Sequence, residues 1–233
     1  MADLLPLEMW LAICSYGLTV SDIVAMSRVC RSWYRVAHEL IGVLPTDKRL
    51  LTVSRQDAEN HRLDAWPDVL MRVSLLYDHI VDVSALGGVH TLDLSFTDVV
   101  DVSALGGVTN LNLIHCNGVT SVSALGSVHL LNMTGCRNVV DVSALGGVHT
   151  LNLLCCSGVV DVSALGGVHT LDLSGCRGVV DVSALGDVHS LNLSWCQNVV
   201  DVSALGRVHT LNLTDCIGVV DFSALGNIPN LIR

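Results

Sequence analysis

The feature that most constrains this chain is a unit of about 20 residues that it repeats almost without change. VVDVSALGGVHTLDLSGC at residues 159–176 returns twenty residues later as VVDVSALGDVHSLNLSWC. A unit this short cannot bury an apolar face by itself, so the copies must stack into a coil with one continuous core. A degenerate copy begins at Leu70. With the first residue of VHTL as position 1, the other units begin at Val89, Val108, Val128, Val148, Val168, Val188, Val208 and Ile228.

Within one unit the apolar residues follow two periods. In TLDLS they alternate, as in a strand with one buried face. After the strand they come every third position, which favours an extended or 3₁₀-like return path over an α-helix. These residues are Cys176, Val179, Val182, Leu185 and Val188. The sequence therefore predicts a slim parallel β-solenoid with coils about 4.8 Å apart, or roughly 40 Å for eight or nine strands.

The consensus VHTLNLxxCxGVVDVSALGG contains the LxxLxLxxN/C pattern of leucine-rich repeats. Over about residues 66–233 the chain resembles that family, and its short units are nearer to the bacterial internalin type than to helix-backed horseshoes. The implied fold class is α+β. A small helical module (1–40) and a linker or N-terminal cap (41–69) precede a parallel β-solenoid of 19–20-residue leucine-rich repeats (70–233). The solenoid has no α-helices on its convex side, and its last repeat is truncated.

Three columns of the repeat indicate local structure. Position 11 is always Gly or Asn, which predicts a positive φ there (Gly118, Asn138, Gly158, Gly178, Asn198, Gly218). Position 19 is Gly in every copy, where the chain turns into the next strand. Position 9 is Cys in six copies and Thr97 in another. The resemblance implies that these side chains form a buried ladder that satisfies loop backbone groups, and the absence of a CxxC pair favours reduced thiols over a zinc site.

Two further columns are polar, and each allows a functional and a structural interpretation. The histidine column is compatible with a row of metal ligands, a pH sensor or a solvent-exposed edge. The aspartate column is compatible with calcium binding or with the capping of a turn. Metal ligands must converge, which a straight column does not provide, so we expect structural roles. The columns are His90, His129, His149, His169, His189, His209, and Asp82, Asp101, Asp141, Asp161, Asp181, Asp201, Asp221. No catalytic constellation stands out, so the sequence predicts no enzyme, metal or cofactor.

The copies differ mainly on and just after the strand, on the predicted concave face. Aromatic and Arg side chains there are typical anchors of protein interfaces, so we predict a target-binding surface with Trp195 as its centre. The alternative is drift after duplication, which also accumulates in exposed columns. The predicted residues are Phe96, Ile114, His115, Leu130, Arg137, Leu154, Arg177, Trp195 and Asp215.

Residues 5–40 lie outside the repeat and suggest short helices. Their Leu-Pro-x-Glu, Ile-x-Ser-Tyr, Asp-Ile and Val-Cys-Arg-x-Trp-Tyr segments resemble the F-box. That resemblance implies helix faces that bind the Skp-family adaptor of cullin-RING ubiquitin ligases, and a chain that presents a target there without doing chemistry. The alternative is that these helices only cap the solenoid of a structural or interaction protein. The implied adaptor-binding residues are Leu5, Pro6, Met9, Ile13, Ile23, Val29, Cys30 and Trp33.

Charge and hydropathy narrow the choice of partners. The net charge is -10, and residues 81–233 contain twelve Asp against four Arg, so we expect no nucleic-acid partner.

No apolar run reaches the roughly 20 residues of a membrane span, and no signal peptide is evident. We therefore expect a cytoplasmic or nuclear protein. Its monotonous repeats resemble F-box/leucine-rich-repeat chains of amoeba-infecting giant viruses, which would place it in the host cell. The apolar edge at NIPNLIR predicts possible self-association.

Overall fold

The computed structural model describes Leu50–Leu51, Arg72–Ser74 and residues 83–233. These residues form one sheet of ten parallel strands in sequence order. The strands are β1 (Leu50–Leu51), β2 (Arg72–Ser74), β3 (Thr91–Asp93), β4 (Asn110–Asn112), β5 (Leu130–Asn132), β6 (Thr150–Asn152), β7 (Thr170–Asp172), β8 (Ser190–Asn192), β9 (Thr210–Asn212) and β10 (Asn230–Ile232). The predicted helical module at residues 1–40 lies outside the described residues.

A short 3₁₀ turn precedes each strand from β3 onward, and no longer helix occurs among the described residues. This confirms the predicted return path. The turns span Ser84–Leu86, Ser103–Gly107, Leu125–Ser127, Ser143–Gly147, Ser163–Gly167, Ser183–Leu185, Ser203–Leu205 and Ser223–Leu225. Within the described ranges, no helix is both long and apolar enough to cross a lipid bilayer.

Neighbouring strands pair in the register of the repeat, so each column of the sequence becomes a column in space. Leu92 pairs with Leu111, and Leu151 with Leu171. From β3 to β9 the residues at positions 4 and 6, all Leu except Met133, are buried, and the Val, Leu and Cys side chains of the three-residue period complete the core. Leu92, Leu111 and Leu171 are at most 1% exposed, as a coil with an internal apolar face requires.

The sheet begins earlier than the regular repeats. β2 lies at positions 3–5 of the degenerate copy that begins at Leu70, and pairs with β3. β1 lies within residues 41–69, predicted as a linker or cap, and pairs with β2. The described sheet thus has ten strands, whereas the repeat count predicted eight or nine.

The glycine columns are explained by close approach between coils. A Cβ on Gly166 would lie 2.4 Å from the carbonyl oxygen of Ala184 in the next coil, so position 19 has no room for a side chain. At position 11 the predicted positive φ is wrong, because none of those six residues has one. Instead, a Cβ on Gly118 would lie 2.5 Å from the carbonyl oxygen of Val99 in the preceding coil. Where position 11 is Asn, the side-chain amide forms a hydrogen bond to the preceding coil: Asn198 donates to the carbonyl of Arg177 at 2.7 Å.

Candidate recognition surface

The cysteine column forms a buried ladder, as predicted. From Cys116 onward, each thiol donates to the carbonyl of position 6, the residue just after the strand, in the preceding coil; for Cys176 the acceptor is Leu153 at 3.1 Å. Thr97 replaces the thiol in the shorter copy, and its hydroxyl donates to the carbonyl of Leu94 at 2.7 Å. Burial raises the pKa of Cys136 to about 12. These thiols are free and protonated at neutral pH, so the column is structural.

The aspartate column caps the 3₁₀ turns. Asp181 accepts the backbone N–H of Ser183 at 2.9 Å, and the same contact recurs in five other coils. Hydrogen bonding from the backbone and side chain of Ser183 lowers the pKa of Asp181. The carboxylates therefore satisfy donors at the turn, the structural role expected from their spacing.

The histidine column forms an exposed stack. The rings of His129, His149, His169, His189 and His209 follow one another with centroids 4.7 Å apart. This distance gives the spacing of the coils. Among the described residues, no group of three or more His, Cys, Asp or Glu side chains is arranged to hold a metal ion.

Each strand from β3 to β9 ends in a side-chain-capped turn that precedes the variable positions. The position 5 side chain accepts the N–H of position 7, as Asn192 does from Ser194 at 3.1 Å. The next residue then donates its N–H to the following coil: Trp195 bonds the carbonyl of Thr214 at 2.9 Å. The carbonyl of Trp195 in turn accepts the N–H of Gln197 at 3.0 Å. The backbone of Trp195 is thus held through both its N–H and its carbonyl, and the position 8 side chain varies on a fixed backbone.

Position 8 has left-handed backbone geometry, the property predicted for position 11. Phe96, His115, Cys155, Trp195 and Asp215 have φ between 57° and 65°, while the glycines at the same position have φ of 73° and 70°. Left-handed geometry costs a non-glycine residue about 1–2 kcal/mol and is rare for bulky side chains. Five of the seven copies therefore keep a side chain where glycine would fit without strain.

An open groove of about 430 Å³ crosses four coils on this face. We call it the arginine groove. It is lined by Arg137, Leu154, Cys155, Ser157, Gly175, Arg177 and Trp195. Of the predicted target-binding residues, the structure brings Arg137, Leu154, Arg177 and Trp195 together here. Cys155 and Ser157 line it as well, although the prediction did not include them.

The remaining predicted target-binding residues lie elsewhere. The rings of Phe96 and His115 contact each other with centroids 5.1 Å apart, and Ile114 precedes His115. Leu130 lies in β5, 42% exposed. Asp215 occupies position 8 one coil beyond Trp195. The eight predicted adaptor-binding residues all lie outside the described residues.

Sequence reasoning missed an exposed apolar column at position 13. Six valines there are between 53% and 84% exposed: Val100, Val140, Val160, Val180, Val200 and Val220. The available signal was the second Val of each VVDVS segment. The three-residue period buries the Val residues at positions 12 and 15, so the Val at position 13 must face outward.

Comparison with solved structures concerns the fold of the described coils. An internalin of Listeria monocytogenes is similar with a TM-score of 0.50 at 18% identity, over 76% of this chain and 68% of that chain. The leucine-rich-repeat domain of the type III effector XopL is similar with a TM-score of 0.53 at 14% identity, over 87% and 82%. At such identities the similarity concerns the fold alone. The described coils have the leucine-rich-repeat fold, which confirms that resemblance.

Comparison with family models identifies the N-terminal segment. Residues 2–41 match the family described as F-box-like, which confirms the resemblance found in Leu-Pro-x-Glu and the segments that follow it. A search of curated proteins found no match. The chain therefore combines an F-box-like segment with a leucine-rich-repeat solenoid, a combination typical of protein-interaction adaptors.

Proposed function

We propose that this chain is the target-recognition subunit of a cullin-RING ubiquitin ligase. Residues 2–41 bind a Skp-family adaptor, and the face that carries position 8 binds a target protein. The chain does no chemistry itself; it raises the concentration of the target beside the ubiquitin-charged enzyme. The F-box-like match at residues 2–41 carries this proposal.

Two features of the described residues support recognition on the position 8 face. Trp195 is 51% exposed and Phe96 is 45% exposed, and both keep left-handed backbone geometry that glycine would adopt at lower cost. Drift alone would not favour a strained bulky residue over glycine. Strain of this kind is concentrated at binding sites, where the surrounding structure enforces it.

Co-purification with a Skp-family adaptor tests the ligase assignment. The intact chain is expected to bind the adaptor, and a variant with Leu5, Pro6 and Trp33 changed to Ala is expected to lose binding, because helix-in-groove interfaces depend on a few apolar anchors. The matched control is Val200→Ala, an equally apolar change on the exposed side of the solenoid.

Two results would overturn the assignment. One is failure of the intact chain to bind any Skp-family adaptor. The other is a triple variant that melts the solenoid without changing adaptor capture, which would show that the helices only cap the coil. The proposal also requires a cytoplasmic or nuclear location, in the host cell if the chain is viral, and fractionation of expressing cells measures this directly.

A further inference from the structure

We propose that the arginine groove binds an acidic peptide segment in the polyproline II conformation, with carboxylates three residues apart and an apolar residue after the second. This inference rests on the proposed function, because it names the chemistry of the target that the position 8 face receives. Charge, spacing and the end wall of the groove define this ligand.

The groove is a local positive site on an acidic coil. Residues 83–233 contain four arginines. Arg207 forms an ion pair with Asp187, and Arg233 lies over the ring of Phe222 at 4.6 Å. Arg137 and Arg177 have no ion pair among the described residues, are exposed, and line the same groove. Their guanidinium groups match carboxylates in bidentate geometry.

The spacing of the two arginines selects the peptide conformation. Both occupy position 10, two coils apart, and neighbouring coils are 4.7 Å apart, so their backbones lie about 9.4 Å apart along the solenoid axis. In polyproline II, residues i and i+3 are on the same side, about 9.3 Å apart. A β-strand places same-side residues at about 6.8 Å or twice that, and a helix places i and i+4 at about 6 Å. Among these spacings, that of polyproline II is the closest to the spacing of the two arginines.

The other walls define the rest of the ligand. Trp195 lies one coil beyond Arg177, so an apolar residue one or two positions after the second carboxylate contacts the indole. Leu154 and Cys155 lie in the coil between the arginines and face the middle of the segment. Each of the two carboxylates meets a single arginine, which matches its single charge. A doubly charged phosphate would exceed the single positive charge of one arginine.

Fluorescence anisotropy with labelled peptides tests the inference on the full chain without adaptor. The probe is Glu-Pro-Pro-Glu-Pro-Leu, and its control is Glu-Glu-Pro-Pro-Pro-Leu, which has the same composition with adjacent acids. We expect the probe to bind at least about tenfold more tightly, with affinity that falls as salt rises. Bound probe should also slow the alkylation of Cys155. Equal binding of the two peptides would overturn the spacing argument, and a phosphoserine version that binds while the probe does not would overturn the choice of carboxylates.

Variants of the chain complete the test. Arg137→Gln and Arg177→Gln are each expected to weaken probe binding about tenfold, because each removes one charge-assisted contact. Arg207→Gln, also exposed but outside the groove, should leave probe binding unchanged. Equal effects of all three would overturn the site. Adaptor capture is measured on the same preparations of the unchanged chain. Failure of that chain to bind the probe while it still binds the adaptor contradicts this inference alone, and probe binding without adaptor capture contradicts the ligase assignment alone.

Discussion

Cys155 and Cys156 are the same amino acid at adjacent positions, yet they occupy opposite environments. Cys156 is 0% exposed, donates to the carbonyl of Met133 at 3.0 Å, and burial raises the pKa of its thiol to about 11. Cys155 is exposed in the arginine groove, with a φ of 59°. The two cysteines show that position in the coil, and not residue type, decides what a side chain does.

The same contrast holds for positions 8 and 9 along the solenoid. Position 9 is nearly constant because its side chain must fit inside and satisfy a carbonyl of the preceding coil. Position 8 varies because its side chain faces solvent, although its backbone is just as fixed. The constant column therefore stabilises the coil, and the variable column differs between copies in the way a recognition surface requires.

The largest expected effect is a loss of stability at alkaline pH. It tests the contrast between buried thiols at position 9 and exposed side chains at position 8. Burial raises the pKa of Cys136 and Cys196 to about 12 and that of Cys156 to about 11, against 9.0 in the unfolded chain. The folded thiols therefore stabilise the protein fully below pH 9, and this stability is lost as pH rises toward 12. We expect about 1 kcal/mol per thiol to be lost by pH 10.

Urea unfolding at pH 8 and pH 10 measures this loss. Cys156→Thr should reduce the difference between the two pH values, because it removes a buried thiol, and Cys155→Ser at the exposed neighbouring position is its matched control. A free energy of unfolding that is the same at pH 8 and pH 10 would show that the ladder is open to solvent.

A second prediction compares single truncations in the two columns. Cys176→Ala leaves the carbonyl of Leu153 without its side-chain donor and creates a small cavity, so we expect about 2 kcal/mol of destabilisation. Cys155→Ala should change the free energy of unfolding by less than about 0.5 kcal/mol, because the side chain is exposed. Thermal melts of both variants check this, and equal shifts in Tm would contradict the contrast.

The sequence predicted the coil well because stacking turns each column into a physical constraint. Three sequence patterns each indicate a local structural requirement, and the structure confirms all of them. They are the alternating leucines, the three-residue period after Cys176 and the Asp–Ser spacing. The strand Leu50–Leu51 was not predicted, because a two-residue strand outside the repeat leaves no periodic signal.

The left-handed position was assigned to the wrong column for a specific reason. Glycine and asparagine at position 11 suggested positive φ, but glycine is also required where another backbone approaches, as Val99 approaches Gly118. At position 8, Trp195 and Phe96 concealed the true site, since bulky residues rarely adopt this geometry. The groove was predicted only in part, because a groove depends on which side chains of neighbouring coils leave space.

A third prediction measures the strain at position 8. Cys155→Gly relieves left-handed geometry worth about 1–2 kcal/mol but adds about 0.5–1 kcal/mol of backbone entropy in the unfolded chain, so we expect a net stabilisation of about 0.5 kcal/mol. Ser157→Gly is the matched control: it is exposed in the same groove without positive φ, so only the entropy remains and the variant should be destabilised. If the two glycine variants shift Tm in the same direction, position 8 is not strained.

The smallest expected effect concerns the histidine column, which stacks at the same spacing as the cysteines but on the outside. Partial desolvation in the stack, together with His149 and His189, lowers the pKa of His169. The unfolded chain therefore takes up this proton first as pH falls, so the contribution to stability is present above pH 6.5 and is lost as pH falls through the lowered pKa. We expect a small drop in Tm between pH 7.5 and pH 5.5, weakened by high salt. His169→Asn interrupts the stack and should make the drop smaller. A Tm that is unchanged over this pH range would mean that the rings separate in solution, and the outer columns would then be less ordered than the inner ones.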